Sequence, residues 1–206
     1  MWFPILIGML ISYLLGNLNG AVCISALMHD DVRSHGSGNA GLTNFIRNFG
    51  AGRALYVILI DAGKAVLSCL VTRLLLEPYD MGAAGAALGG TAVMLGHTFP
   101  ALLGFKGGKG ILSGLFVALV VDWRIGLLIL AVFAIAYGMT QYVSLGSVLG
   151  AVAFGVGFVV LHNDDLTVMI CGIVMSALAV YMHRENISRL LKGQERKTNL
   201  FSKGKK

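Results

Sequence analysis

Residues 143–162 read VSLGSVLGAVAFGVGFVVLH, a run of 20 residues without Asp, Glu, Lys or Arg. A helix that crosses the hydrocarbon core of a membrane needs about 20 predominantly apolar residues, so this run is long enough to span. Six further apolar runs lie at about residues 3–28, 54–76, 81–104, 110–121, 125–139 and 165–182. Together the seven runs predict an all-α fold, a polytopic transmembrane helical bundle of about seven spans.

The composition agrees with a membrane protein. Of the 206 residues 56% are hydrophobic and 13% are charged, whereas about 25% are charged in a typical soluble domain. The run at 110–121 is short for a span, so it is tilted, re-entrant or extended into the turn before it. The count could therefore be six, or five with additional half-helices. The first run has no basic residue before it and exceeds signal-peptide length, which favours a retained helix.

Loop charges predict the orientation. With seven spans and the N-terminus outside, the inside connections are 29–53, 105–109, 140–142 and a basic tail at about 184–206, and they carry nearly all of the cations. Cytoplasmic loops are enriched in Lys and Arg, so the N-terminus is expected outside and the C-terminus inside. An anchor on anionic lipid explains the tail better than nucleic-acid binding does. We expect one domain, residues 1–206, and no nucleic-acid partner.

A basic glycine-rich turn, GFKGGKG at residues 104–110, lies between two apolar runs. Lys106 and Lys109 supply cations, and three glycines are expected to leave their backbone N–H groups bare for a phosphate: Gly107, Gly108 and Gly110. The turn lacks the spacing of a nucleotide-binding P-loop. His97, near the end of the preceding run, is either a packing residue or a ligand contact.

A second polar segment, SHGSGNAGLTNFIR at residues 34–47, follows the first run. A short helix is expected from Thr43, and a helix N-terminus after a glycine turn attracts anions. Arg47, one turn further on, can add a bidentate fork to a phosphate. The candidate binding residues of this segment are Ser37, Asn39, Thr43, Asn44 and Arg47.

Two more polar segments are expected on the same side. His183 and Asn186, just past the last run, are three residues apart and share a helix face. Ser144 follows a short connection and either looks into the same space or bonds back to its own helix. Arg184 and Arg189 are expected near lipid head groups.

Ionisable residues inside an apolar run are paired or functional. Asp61 and Lys64 lie one turn apart, which predicts an internal ion pair. Cys23, Cys69 and Cys171 are an odd number without metal-type spacing, so neither a disulfide framework nor a zinc site is expected. With no acidic cluster either, we predict no metal site and no cofactor.

Two other functions are open to a chain with these features. A transporter or flippase for phosphorylated solutes agrees with polar loops on one side, but it should offer inverted repeats and polar breaks in matched halves, which are not found. A CDP-alcohol phosphotransferase would need a carboxylate cluster for its metal ions, and the chain has none.

The motifs, taken in chain order, resemble a known family. GSGN at 36–39, GHTFPALLGFKGGKG at 96–110, YVSLGS at 142–147 and HRENISRLLKGQE at 183–195 are similar to the motifs of the bacterial acyl-phosphate:glycerol-3-phosphate acyltransferase (PlsY) family. The resemblance spans nearly the whole chain. It implies a multi-pass enzyme of the bacterial inner membrane whose active site faces the cytoplasm.

The resemblance also implies the reaction and its partners. A fatty acyl group passes from acyl phosphate, not from acyl-CoA or acyl carrier protein, to the 1-position of glycerol 3-phosphate. The products are lysophosphatidic acid and phosphate, in the first step of phospholipid synthesis at the membrane lipid. It places these residues in the substrate pocket: Ser37, Thr43, Arg47, Lys106, Ser144, His183 and Asn186.

We assign roles to these positions on physical grounds. Arg47, Lys106 and the backbone of 107–110 are expected to bind phosphate, with Lys109 as a weaker candidate. Three residues are expected to be catalytic, around the glycerol hydroxyls and the acyl carbonyl: Ser144, His183 and Asn186. Either His183 or the donor phosphate takes the hydroxyl proton. Glu195 is expected to be a structural partner of basic neighbours.

Overall fold

The computed structural model of the protein describes residues 2–198. Within that range it contains ten α-helices and no β-strand. The helices are α1 (Trp2–Gly16), α2 (Gly20–Ala26), α3 (Leu42–Phe49), α4 (Ala54–Leu76), α5 (Gly82–Thr98), α6 (Ile111–Val121), α7 (Trp123–Thr140), α8 (Val143–Leu161), α9 (Leu166–Met182) and α10 (Arg184–Leu191). The all-α prediction is confirmed. The end of the predicted basic tail, with Lys203, Lys205 and Lys206, lies outside the described residues.

Each of the seven predicted apolar runs is helical, and the first is broken into α1 and α2, which meet at a 42° bend. Among residues 2–198, four segments are long and apolar enough to cross a membrane alone: Ala51–Tyr79, Gly82–Leu103, Trp123–Thr140 and Val143–Leu161. The number rises to six if the bent pairs α1–α2 and α9–α10 each form one span. Helix α6 has 11 residues and is as short as its sequence indicated. The seven-span count and the orientation remain predictions.

The helices pack in two groups. In the first, α4 and α5 pack against each other and against α1. In the second, α7 packs on α8, and α8 packs on α9. A Cβ atom built on Gly96 would lie 2.1 Å from the carbonyl oxygen of Tyr13. The backbones of α1 and α5 therefore touch, an approach that membrane helices reach only with small residues.

The outer surface of the bundle is apolar. Trp2, Leu74 and Val160 are 72%, 70% and 62% exposed. Large apolar side chains exposed in this number around a bundle of apolar helices fit a lipid environment. Buried core residues such as Met94 and Phe158 lie between the helices instead.

The two ends of the bundle differ in chemistry. At one end Asp122 caps α7, pairs with Arg124 at 2.6 Å and lies 3.2 Å from Nε2 of His162. At the other end the segments before α3, between α5 and α6, between α7 and α8, and after α9 come together. This second end carries the predicted polar motifs.

Candidate active site

A cavity of about 310 Å³ opens at the end of the bundle where the polar segments meet. Eleven of the fourteen predicted site residues line it: Ser37, Asn39, Thr43, Asn44, Arg47, His97, Lys109, Gly110, Ser144, His183 and Asn186. The segments expected on one side of the membrane therefore do meet at one place.

The other three predicted residues, in the glycine turn, do not line the cavity. The N–H group of Gly108 donates to the carbonyl oxygen of His97 at 3.0 Å, so it is not bare, and that prediction is wrong. A Cβ atom on Gly107 would lie 2.0 Å from the same carbonyl oxygen. Lys106 is exposed, so Lys109 is the lysine that this turn presents to the cavity. The turn is glycine-rich because it packs closely on the end of α5.

Asn44 organises the segment before α3. Its Nδ2 group donates to the carbonyl oxygens of Val32, His35 and Asn39, each at 3.0 Å. Its Oδ1 atom accepts from the N–H of Ser37 at 3.1 Å. The Asn44 amide therefore holds this segment in shape, and its contact with a substrate stays a prediction. Helix α3 begins one residue before the expected start.

Arg47 on α3 contacts the C-terminal segment 194–198. Its Nε donates to Oγ1 of Thr198 at 2.8 Å, and its Nη2 donates to the carbonyl oxygen of Arg196 at 3.3 Å. Thr198 is fixed in turn, because its N–H donates to the Gln141 carbonyl at 3.1 Å and its carbonyl accepts from the Tyr137 hydroxyl at 2.9 Å. Segment 194–198 thus borders the cavity beside Arg47, the residue predicted to bind phosphate.

A hydrogen-bonded chain joins the glycine turn to α10. Nζ of Lys109 donates to Oδ1 of Asn186, and Nδ2 of Asn186 donates to Oε1 of Glu195 at 3.0 Å. Arg189 Nε donates to Oε2 of Glu195 at 2.7 Å. The expected structural role of Glu195 beside basic neighbours fits this geometry. Arg189, expected near lipid head groups, lines the cavity instead.

Burial and neighbouring charges change the pKa values of this chain. Burial, with the nearby Arg189 cation adding to it, lowers the pKa of Lys109 to about 8. Burial tends to raise the pKa of Glu195, but hydrogen bonds from Arg189 and Asn186 outweigh it and the pKa is lowered. Glu195 is therefore a carboxylate at neutral pH, while Lys109 is a cation that titrates close to the physiological range.

His183 lies between α9 and α10 and is buried. Its Nδ1 lies 2.8 Å from the carbonyl oxygen of Ala179. Because a carbonyl only accepts, Nδ1 carries the proton, and in the neutral ring Nε2 is the acceptor. The buried hydroxyl of Ser144 forms no direct hydrogen bond with the described residues, and it lies close enough to Glu195 to help lower that carboxylate's pKa.

The predicted ion pair inside α4 is confirmed. Nζ of Lys64 lies 2.7 Å from Oδ1 of Asp61, and both side chains are buried. His97 is also buried, with its Nδ1 2.7 Å from the same Nζ atom. Asp61 and His97 both line the floor of the cavity. The sequence pattern indicated the pair but not its contact with His97.

One wall of the cavity is apolar. Helices α6, α7 and α8 supply it, with Ile111, Leu112, Leu115, Ile129, Leu130, Phe133 and Val143. The sequence did not single out these residues as cavity-lining, because apolar side chains are frequent in all seven predicted runs. A cavity with cations on one side and aliphatic side chains on the other suits an amphipathic ligand.

Comparisons with known proteins agree on one family. The model of the family described as Glycerol-3-phosphate acyltransferase matches residues 6–193. A glycerol-3-phosphate acyltransferase of Thermoanaerobacter sp. (strain X514) is 38% identical over 189 residues, which cover 91% of this chain and 92% of the relative. The corresponding protein of Clostridioides difficile (strain 630) is 37% identical over 198 residues, 95% of this chain and 96% of the relative.

Two solved structures are similar in fold. The crystal structure of PlsY, an integral membrane glycerol 3-phosphate acyltransferase, in its glycerol 3-phosphate form superposes with a TM-score of 0.85 at 32% identity and covers 96% of this chain and 99% of that one. The lysophosphatidic acid form gives a TM-score of 0.82 at 32% identity, with 95% and 96% covered.

Proposed function

This chain belongs to the glycerol-3-phosphate acyltransferase family, and from that premise we propose that its acyl donor is acyl phosphate. The acyl group passes to the 1-hydroxyl of glycerol 3-phosphate and gives lysophosphatidic acid and inorganic phosphate. The protein is an integral membrane protein. We place it in the bacterial inner membrane with the cavity open to the cytoplasm, where glycerol 3-phosphate is available.

The observation that carries the proposal is the junction of a cationic face with an apolar wall in one cavity. Arg47, Lys109 and Arg189 line the polar side of the cavity. The two carboxylates among the lining residues are paired, Asp61 with Lys64 and Glu195 with Arg189, so Arg47 and Lys109 supply the excess positive charge. Both proposed reactants carry a phosphate, and Arg binds phosphate oxygens through two parallel N–H groups. The cationic side therefore has the charge to hold two phosphorylated molecules together.

The size of the cavity supports acyl phosphate over a larger donor, and its apolar wall suits the acyl chain that either donor would carry. Aliphatic side chains of α6 and α7 face the cavity and suit a fatty acyl chain. A volume of about 310 Å³ is at the lower end of the range for ligand sites. It suits compact phosphates better than a donor that adds a nucleotide and a pantetheine arm.

The chemistry needs orientation and charge neutralisation, because an acyl phosphate is already activated. The 1-hydroxyl oxygen attacks the acyl carbonyl carbon, an ester bond forms, and the bond from that carbon to the phosphate oxygen breaks. The leaving phosphate takes the hydroxyl proton in the route we favour, since backbone rather than a carboxylate orients His183. Ser144, His183 and Asn186 then position the hydroxyl and the carbonyl.

The test is a reconstituted assay. Purified protein in lipid nanodiscs is incubated with glycerol 3-phosphate and either palmitoyl phosphate or palmitoyl-CoA, and lysophosphatidate and free phosphate are measured. We expect equal amounts of both products from palmitoyl phosphate and none from palmitoyl-CoA. Product from palmitoyl-CoA alone, or an acyl chain at the 2-position, contradicts the proposal. Arg124→Gln, at the opposite end of the bundle, is the matched control that keeps full activity.

A further inference from the structure

The ion pair inside α4, between Asp61 and Lys64, has more hydrogen-bond partners than charge neutralisation requires. Nζ of Lys64 lies 2.7 Å from Asp61 Oδ1 and donates to the Leu18 carbonyl oxygen at 2.6 Å. It also lies 2.7 Å from Nδ1 of His97, with the Gly16 carbonyl oxygen more distant at 3.3 Å. An ammonium group has three N–H donors and no lone pair, and the three short contacts account for all three.

This contact fixes the protonation of His97. Because the ammonium group of Lys64 only donates, Nδ1 of His97 must accept, and the neutral ring carries its proton on Nε2. Among the described residues, none forms a hydrogen bond with Nε2. The ring therefore presents one N–H donor on the edge away from Lys64, and His97 lines the cavity.

The glycine turn is built against that same edge. A Cβ atom on Gly108 would lie 2.2 Å from Nε2 of His97, so any side chain there would cover the donor. The N–H of Gly108 donates to the carbonyl oxygen of His97, which sets the turn that presents Lys109. His97 thus holds the turn through its backbone and faces the cavity through its ring.

We propose that Asp61 and Lys64 are positioning residues that act through His97, fixing it as an Nε2–H donor to a phosphate oxygen of a bound substrate. The inference rests on the proposed function for the identity of that ligand. Asp61 orients Lys64, Lys64 sets the tautomer, and His97 adds a third kind of phosphate donor beside Arg47 and Lys109.

The same pair also has a packing role that an experiment must separate. Asp61 Oδ1 accepts from the N–H of Gly20 at 3.1 Å, and Lys64 donates to the Leu18 carbonyl, so the pair closes the break between α1 and α2. Loss of either charge alone would leave the other buried and unpaired, which is strongly destabilising. The informative variant removes both charges together.

The first measurement is on the wild-type protein. Nitrogen-15 NMR of histidine-labelled protein reports which ring nitrogen carries the proton, and the signal that disappears in His97→Asn belongs to His97. We expect the Nε2–H tautomer for that residue. An Nδ1–H tautomer or a protonated ring overturns the inference, and this result does not depend on acyl transfer or on the Asp61 and Lys64 variants.

The second measurement is a mutant cycle. Asp61→Asn/Lys64→Met and His97→Asn are each expected to raise the Kd or KM for the phosphorylated ligand about tenfold, as for loss of a charge-assisted hydrogen bond, with kcat changed less than about threefold. The triple variant is expected to be no weaker than His97→Asn, because positions that act through one another are not additive. Titration with glycerol 3-phosphate and KM values for palmitoyl phosphate identify whose phosphate is bound.

The control and the contrary outcomes follow from the packing role. Asp122→Asn removes a buried carboxylate that pairs with the exposed Arg124 at the opposite end, and it is expected to lower the melting temperature without changing KM. The inference is overturned if the increases in KM add together in the triple variant. It is also overturned if Asp61→Asn/Lys64→Met lowers the melting temperature and leaves KM unchanged. In either case the pair is purely structural. Absence of acyl transfer by the wild type would instead overturn the proposed function, while glycerol 3-phosphate binding and the tautomer still test this inference.

Discussion

The guanidinium group of Arg47 is hydrogen-bonded to the hydroxyl of Thr198, a residue 151 positions further along the chain, with Nε and Oγ1 2.8 Å apart. Arg47 is the predicted phosphate fork, so the C-terminal segment holds the group that a substrate would need. A phosphate that binds Arg47 side-on, through Nε and Nη2, must displace this hydroxyl, because both of these nitrogens donate to it.

Removing the hydroxyl should therefore strengthen binding. We expect Thr198→Val, which keeps the shape of the side chain, to lower the KM for glycerol 3-phosphate about tenfold, because a hydrogen bond to a charged group contributes about 1.5–3 kcal/mol. Steady-state kinetics measure it, and Arg47→Lys, which loses the fork, should raise the same KM. A KM that rises in Thr198→Val contradicts displacement.

Lys109 should make phosphate affinity depend on pH. Its pKa is lowered from the ordinary value to about 8, so the charged form is lost as the pH rises through 8. Since a phosphate monoester is already a dianion there, the Kd for glycerol 3-phosphate should rise between about pH 7 and pH 9. Calorimetric titration measures it. Lys109→Arg should flatten the pH profile of the Kd. Lys106→Gln is the control, and it should leave the profile unchanged because Lys106 is exposed. A flat profile for the wild-type protein contradicts the role of Lys109.

A methyl group at position 108 should displace the glycine turn. The added Cβ would lie 2.2 Å from the His97 ring, and overpacking typically costs about 1–3 kcal/mol. Gly108→Ala is expected to weaken glycerol 3-phosphate binding at least about tenfold, with a small fall in melting temperature. Gly63→Ala on α4 is the matched control, because a Cβ there meets nothing within 4 Å. Equal affinities of the two variants would contradict the close packing of the turn.

His183→Ala separates the two proton acceptors. If the donor phosphate takes the proton, the variant should lose substrate affinity while kcat falls less than about a hundredfold. A general base contributes about 10²–10⁴-fold to the rate, so a larger fall in kcat with unchanged affinity would assign the proton to His183. Single-turnover kinetics with palmitoyl phosphate give both quantities.

The fold could be predicted from the sequence because each helix depends on the local run of apolar residues that forms it. Apolar runs of membrane length have to be helical, since backbone groups in lipid find no other partners. The short apolar run at 110–121 is a helix of 11 residues, α6, so its shortness was correctly predicted. The break within the first run was not predicted, although it has a sequence signal: Asn17 and Asn19 lie at it, and the Asn19 side chain caps α2.

The site was predictable as a cluster but not atom by atom. Topology alone brings polar connections to the same end of a bundle, so Arg47 and His183 were expected together. Which lysine of the glycine turn faces inward depends on how Gly107 and Gly108 pack on α5, a tertiary contact without a sequence signal. Arg189 had a signal, since it lies three residues after Asn186 and so shares its helix face.

The anchoring of segment 194–198 has a practical consequence for anyone who purifies this protein. Thr198 is hydrogen-bonded to Arg47, to the Gln141 carbonyl and to the Tyr137 hydroxyl, so a peptide fused directly after it would start beside Arg47. A polyhistidine tag in that position would bring imidazole groups within reach of the phosphate donors.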